Sequence, residues 1–153
     1  MSAHLHECAV KPDWIDYNGH LRDAYYGLAF SYAVDAFMIE IGIDAQYRKE
    51  TGGTWYVVED HRCYLSEVTA QDCPLIVRTR VAQNDDKRTI LLQELLEPGT
   101  EKPSATCEAL QLHVVQKPEP RVASLPKHIL ERLDDFRASE NDLPNLTLHL
   151  KRR

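Results

Sequence analysis

The sequence predicts a single α+β domain in which one long helix lies across a curved antiparallel sheet. Tyr26, Phe30, Ala33, Val34, Phe37, Met38 and Ile41 recur at helical spacing and form one broad apolar face between about Asp23 and Ile41. The later segments Thr54 to Leu65, Leu75 to Ala82, Thr89 to Leu96 and Thr106 to Val115 are rich in strand-forming residues and are bounded by turn residues. Their connections are too short for crossover helices, so strands that follow one another are expected to pair as antiparallel hairpins.

The elements follow in order. His4 to Val10 can form a first strand, ended by Pro12, which lacks a backbone donor. A loop through Gly19 leads to the long helix, and Gly42 stops it. Asp44 can cap a second, shorter helix reaching about Glu50, and Gly52-Gly53 breaks the chain before the strands. Asn84-Asp85-Asp86 and Pro98-Gly99 mark turns between strands. Pro126 opens a last amphipathic stretch with Ile129, Leu130, Leu133 and Phe136 on one side. Residues 1–137 then form the domain, and 138–153 form a C-terminal tail expected to be poorly ordered. A ferredoxin-like sandwich would need a second long helix between strands, and the stretch after Leu65 offers none.

The chain has 153 residues, 43% of them hydrophobic, a length suited to one buried core. A formal net charge of -6 argues against a nucleic-acid binder, which needs clustered cations to neutralise phosphates. The one basic run, Lys151-Arg152-Arg153, reads as a solvated end. Cys8, Cys63, Cys73 and Cys107 lack metal-site spacing, so they are expected to be reduced thiols, mostly buried, and no metal or cofactor is expected. No leader and no apolar run of membrane length is present, which points to a cytoplasmic protein without a membrane partner.

The chemistry concentrates just before the long helix, in Val10-Lys11-Pro12-Asp13-Trp14-Ile15-Asp16-Tyr17-Asn18-Gly19-His20. The first N-H groups of a helix lack intrahelical acceptors and sit at the positive end of its dipole, so they can hold an oxygen on which negative charge develops. Asp16 can act as a nucleophile on an acyl carbon or as a base toward water, and both roles need it ionised. By composition alone, Asp16, Asn18 and Gly19 also suit a plain turn and helix cap.

Asp16, Gly19 and His20 match the motif of the hotdog thioesterases of the 4-hydroxybenzoyl-CoA thioesterase type, which the chain resembles as far as about Val115. The likeness continues through Ala24-Tyr25-Tyr26, Val57-Val58-Glu59 and Tyr64-Leu65-Ser66-Glu67-Val68. It implies a hotdog fold, a catalytic Asp16 and a thioester carbonyl held by the backbone amide of Asp23, with His20 orienting the loop or the carbonyl. Arg22 and Asp23 depart from the asparagines that many relatives carry there. Asp16 to Leu21, Ala24 to Tyr26, Tyr47-Arg48, Thr51 to Gly53 and Val57 to Glu59 resemble, more narrowly, the betainyl-CoA thioesterases of carnitine breakdown.

That resemblance implies a substrate with a quaternary ammonium, which aromatic faces or a carboxylate can hold. Trp14, Tyr25 and Tyr26 are candidates near the motif, with Asn18, Gly19 and Glu59 as further substrate contacts; Tyr17, Trp55 and Tyr56 are aromatic neighbours that burial alone would also explain. Arg62, Arg78, Arg80, Lys87 and Arg88 are available for CoA phosphates, although alternating charges on strands also suit a wet sheet face. The resemblance further implies a homodimer or homotetramer. Two other readings are an enoyl-CoA hydratase, disfavoured by the Asp16 to His20 spacing without proline, and an acyl-CoA sensor without chemistry.

Overall fold

The computed structural model describes residues 2–72 and 74–151; Cys73 and the terminal Arg152 and Arg153 lie outside the described residues. In chain order the elements are β1 (His4–Cys8), α1 (Asp23–Ile41), α2 (Ala45–Thr51), β2 (Gly53–Tyr64), β3 (Leu75–Asn84), β4 (Arg88–Leu96), β5 (Pro103–Val115), β6 (Arg121–Val122) and α3 (Lys127–Asp134). The strands form one antiparallel sheet in the order β1-β3-β4-β5-β2, and β6 pairs the last two residues of β5 where β4 has ended.

α1 has the limits its apolar periodicity predicts. It buries Tyr26, Ala29, Phe30, Ala33, Phe37, Met38 and Ile41 against the sheet. Its first half packs with Val68, Val77 and Leu95, and its second half with Trp55, Leu91 and α3 residues Ile129 and Leu133. The Asp44 side chain caps α2 by accepting the Tyr47 N-H at 2.8 Å, as its position before the helix predicts. The long helix laid on a curled antiparallel sheet is the hotdog fold.

β3 with β4 and β4 with β5 are the expected hairpins, but β2 does not pair with β3. β2 lies at the far edge beside β5, while β3 sits between β1 and β4. The chain between them explains this. Leu65 and Ser66 both donate to Ser104 O, at 2.8 and 3.1 Å, and Val68 O then accepts the Leu21 N-H at 2.7 Å. Those contacts carry the connection across to the loop before α1, and β3 enters on the opposite side of β4 and β5.

The tail is also corrected: it lies against the sheet rather than loose. Leu148 is buried, and Leu143, Leu146 and Leu150 pack beside it against Ala82, Ile90 and Leu92 on the sheet face away from α1. The run Ile90-Leu91-Leu92 is apolar on both sides of the pleat and so needs both faces covered. α1 covers one face and the tail covers the other.

Among the described residues no single helix is long and apolar enough to cross a membrane; α1 and α2 meet that test only as a pair bent by 72°, and α1 is packed on the sheet. No group of three His, Cys, Asp or Glu among the described residues is placed to hold a metal ion. Cys8 and Cys107 are buried and Cys63 is half-buried. Burial pushes the Cys107 thiol up to about 12, so it stays protonated and packs as a small apolar group.

Candidate active site

The loop before α1 folds as a tight turn held at both ends. Asp16 N donates to His20 O at 2.8 Å and Gly19 N to Asp16 O at 3.0 Å. Gly19 takes a φ of 78°, a left-handed conformation that a side chain would strain. The Asp16 carboxylate oxygen Oδ1 accepts the N-H of Asn18 at 2.8 Å and of His20 at 3.3 Å. Asp16 therefore caps its own turn, as composition alone allows, while its side chain stays half-buried beside the start of α1. Among the described residues no hydrogen bond takes its second oxygen, Oδ2.

The turn is pinned to its surroundings. His20 N-ε2 lies 3.2 Å from a carboxylate oxygen of Glu67, Leu21 N donates to Val68 O, and Arg22 N donates to Trp14 O at 2.9 Å. Asp23 is the first residue of α1, where helix geometry provides no intrahelical acceptor for its N-H, and Arg22 before it makes no side-chain cap. An amide donor at the positive helix end and a half-buried carboxylate thus share one neighbourhood.

The aromatic candidates are packed against other rings. Trp14 is buried, and its ring stacks on Tyr25 with centroids 5.2 Å apart and planes 9° from parallel. Tyr26 is buried and meets Tyr64 edge-on at 5.1 Å. Burial pushes its phenol above the ordinary range, against a hydrogen bond to the Val68 backbone, with Tyr64, Glu67 and Asp16 adding to the rise. Asn18 and Gly19 form the exposed tip of the turn.

A cleft of about 460 Å³ opens between α1 and the β2, β4 and β5 strands. It begins at Ala24, one residue into α1 from Asp23, and runs past Gly27 and Phe30 to Trp55 and Met38. Asp16 and His20 lie at the helix start and do not line it. Neither do Trp14, Asn18, Tyr25, Tyr26 or Glu59. The polar groups that do line it include Asp60, Arg62, Gln93 and Gln111, of which only Arg62 stands out from sequence, and then as a phosphate contact.

A β-bulge explains the exchange of Glu59 for Asp60. Trp55 and Val57 face the cleft, so regular alternation would turn Glu59 toward it as well. The β2 to β5 register shifts between Val57 and Glu59, and the extra residue resets the alternation. Asp60 and Arg62 therefore face the cleft, and Glu59 falls on the other side. No local composition signal marks this bulge; it is visible only in the pairing.

The other candidate cations are largely engaged. Arg78 and Arg80 both pair with Glu94, at 3.2 and 2.7 Å, and Arg88 pairs with Asp85 at 2.5 Å. Lys87 borders a separate recess with Asn84 and Lys151.

The profile of the thioesterase-like superfamily matches residues 10–133. The chain belongs to that superfamily and is, by class, an acyl-CoA thioester hydrolase. More narrowly, it is 39% identical over 139 residues to the betainyl-CoA thioesterase of Pseudomonas aeruginosa, covering 91% of this chain and 86% of that protein. It is 40% identical to part of an L-carnitine dehydrogenase/betainyl-CoA thioesterase of Agrobacterium fabrum, covering 89% of this chain but 27% of that longer protein. A proposed thioesterase from Pseudomonas putida KT2440 superposes with a TM-score of 0.76 at 32% identity, over 98% of this chain and 99% of that one. A Staphylococcus aureus protein solved in complex with CoA shares the fold, with a TM-score of 0.79 at 23% identity over 97% and 90% of the two chains.

Proposed function

We propose that this chain hydrolyses betainyl-CoA to glycine betaine and CoA, with Asp16 as the reacting carboxylate. The observation that carries the reading is the 39% identity to a betainyl-CoA thioesterase along 91% of the chain, joined to a half-buried Asp16 next to the free amide end of α1. The Asp23 N-H holds the thioester oxygen as the carbonyl carbon becomes tetrahedral. Oδ1 of Asp16 is occupied by two backbone donors, which leaves Oδ2 for the reaction.

Two routes are open to Asp16. As base it takes a proton from water as that water attacks the carbonyl carbon, and the CoA thiolate leaves and is protonated. As nucleophile it displaces CoA to form an anhydride, which water then cleaves. Repeated turnover in oxygen-18 water separates them, because only the anhydride route leaves label in the Asp16 carboxylate.

The active form is a homodimer that acts in the cytoplasm. Among the described residues β2 pairs on one side only, so its other edge offers unpaired backbone groups, and Val57 and Val58 beside it are 60% and 53% exposed. A second copy placed on this edge would cover those residues and close the open side of the cleft. The deciding experiment is release of free thiol across a panel of CoA esters, namely betainyl-CoA, short straight-chain esters and 4-hydroxybenzoyl-CoA. Preferred turnover of the betainyl ester supports the reading; release from other esters but not from that one would overturn it.

A further inference from the structure

The cleft beside α1 contains polar groups that the turn chemistry does not use. Gln93 is fully buried on β4, and its Nε2 donates to Phe30 O at 3.1 Å and to Thr79 Oγ1 at 3.3 Å. The Phe30 carbonyl can only accept, so the amide nitrogen must face it and the amide oxygen must be the other end. That oxygen has no hydrogen-bond partner among the described residues, although Gln93 lines the cleft. A buried oxygen left without a donor is costly unless a ligand or solvent group meets it.

Arg62 and Gln93 both pair with Cys107, so they flank it on one row across the sheet. Asp60 pairs with Ala109, two residue pairs further from the helix start on the same face. Its carboxylate lies 3.7 Å from Arg62 Nε, a loose pair with side chains 40% and 33% exposed. The Arg62 guanidinium rests on α1 at Gly27, where a Cβ would collide with it. A glycine inside a helix costs about 0.5–1 kcal/mol relative to alanine, and here it provides the seat for Arg62.

The cleft therefore carries a positive group, Arg62, near the helix start, with the unpartnered Gln93 amide oxygen beside it and the carboxylate of Asp60 beyond it; Asp35 of α1 is a second carboxylate in the lining. We infer that it is the acyl pocket for a cationic acyl group, with Arg62 toward the thioester oxygen and Asp60 and the Gln93 amide oxygen toward the positive end. This rests on the thioester-hydrolase reading above. A betainyl group has the opposite polarity to the Arg62 and Asp60 pair, its carbonyl carbon and its ammonium nitrogen being separated by a single methylene. With the carbonyl at the Asp23 N-H, the acyl group enters the cleft at Ala24, reaching Arg62 before Asp60.

The test compares betainyl-CoA with tert-butylacetyl-CoA, which has the same shape with carbon in place of the charged nitrogen. The native protein should favour the charged ester by about tenfold in kcat/KM, the scale of one cation contact partly shielded from water. Asp60→Asn should lower that preference at least several-fold. Arg62→Met should lower kcat on both esters without removing the preference, and Gly27→Ala, which displaces the guanidinium, should reproduce it if the first variant folds poorly. Glu131→Gln, on the exposed side of α3, is the control and should change neither ester. Equal kcat/KM for the two esters in the native protein, or an unchanged preference in folded Asp60→Asn, overturns the inference while leaving thioester hydrolysis intact. Absence of CoA release from every ester would overturn the hydrolase reading itself.

Discussion

The carboxylate of Glu108, at the middle of β5, accepts the backbone N-H of Leu148 at 2.9 Å and that of Thr147 at 2.7 Å. This buried acceptor ties the end of the chain to a sheet face that would otherwise expose Ile90 and Leu92. Glu108→Ala strands two N-H groups and should cost about 1–3 kcal/mol. Leu148→Ala should cost about 2 kcal/mol or more through lost burial. Urea unfolding midpoints measure both, and unchanged midpoints would show that the tail contributes nothing to the fold.

Asp16→Asn separates the turn from the chemistry. Asparagine keeps an oxygen for the Asn18 and His20 N-H groups, so the unfolding midpoint should stay close to that of the native protein. It removes the charge, and kcat should fall by about 10²–10⁴-fold, the usual contribution of a positioned acid-base group. Full activity in a correctly folded variant would take Asp16 out of the mechanism.

His113 makes stability depend on pH. Its Nδ1 lies 2.8 Å from Ala123 O and its Nε2 lies 2.9 Å from the Tyr47 hydroxyl, so the neutral ring donates to the carbonyl and accepts from the phenol. Burial holds its pKa below the ordinary 6.5, opposed in part by the hydrogen bond to Ala123. The unfolded chain therefore takes up this proton first as pH falls. The stabilisation is complete above about 6.5 and is lost as pH drops toward the lowered folded value. His4, also shifted down mainly by burial, acts in the same direction. Urea midpoints should fall between pH 7 and 5, and His113→Gln should flatten that dependence; an equal slope in the variant would assign it to other groups.

Val58→Asp addresses the open edge of β2. Val58 is the extra residue of the bulge and is 53% exposed, so the substitution leaves the core untouched. Light scattering on the native protein should give about twice the 17.6 kDa chain mass, and the variant should shift toward the single chain. A monomeric native protein at micromolar concentration would refute the edge pairing.

Much of the architecture was legible because its causes are local. The apolar stripe from Tyr26 to Ile41 and the cap at Asp44 place α1 and α2 within a residue or two of their observed limits. The turn at Asp16 to His20 was also readable, since Gly19 supplies the left-handed residue that the turn requires. Trp14 and Tyr25 show the limit of such reading. Their nearness to the motif is a local fact, whereas the stacking of the two rings on each other is set by the fold.

By itself the sequence determined the elements and the Asp16 to His20 turn, because helix periodicity, capping and turn chemistry act between residues a few positions apart. Tertiary structure alone decided that β2 lies beside β5, that a bulge turns Asp60 and Arg62 into the cleft in place of Glu59, and that the tail covers the second sheet face. Each of these depends on which distant strand pairs with which and in what register. That choice is set by the burial of whole faces together, so no short segment records it.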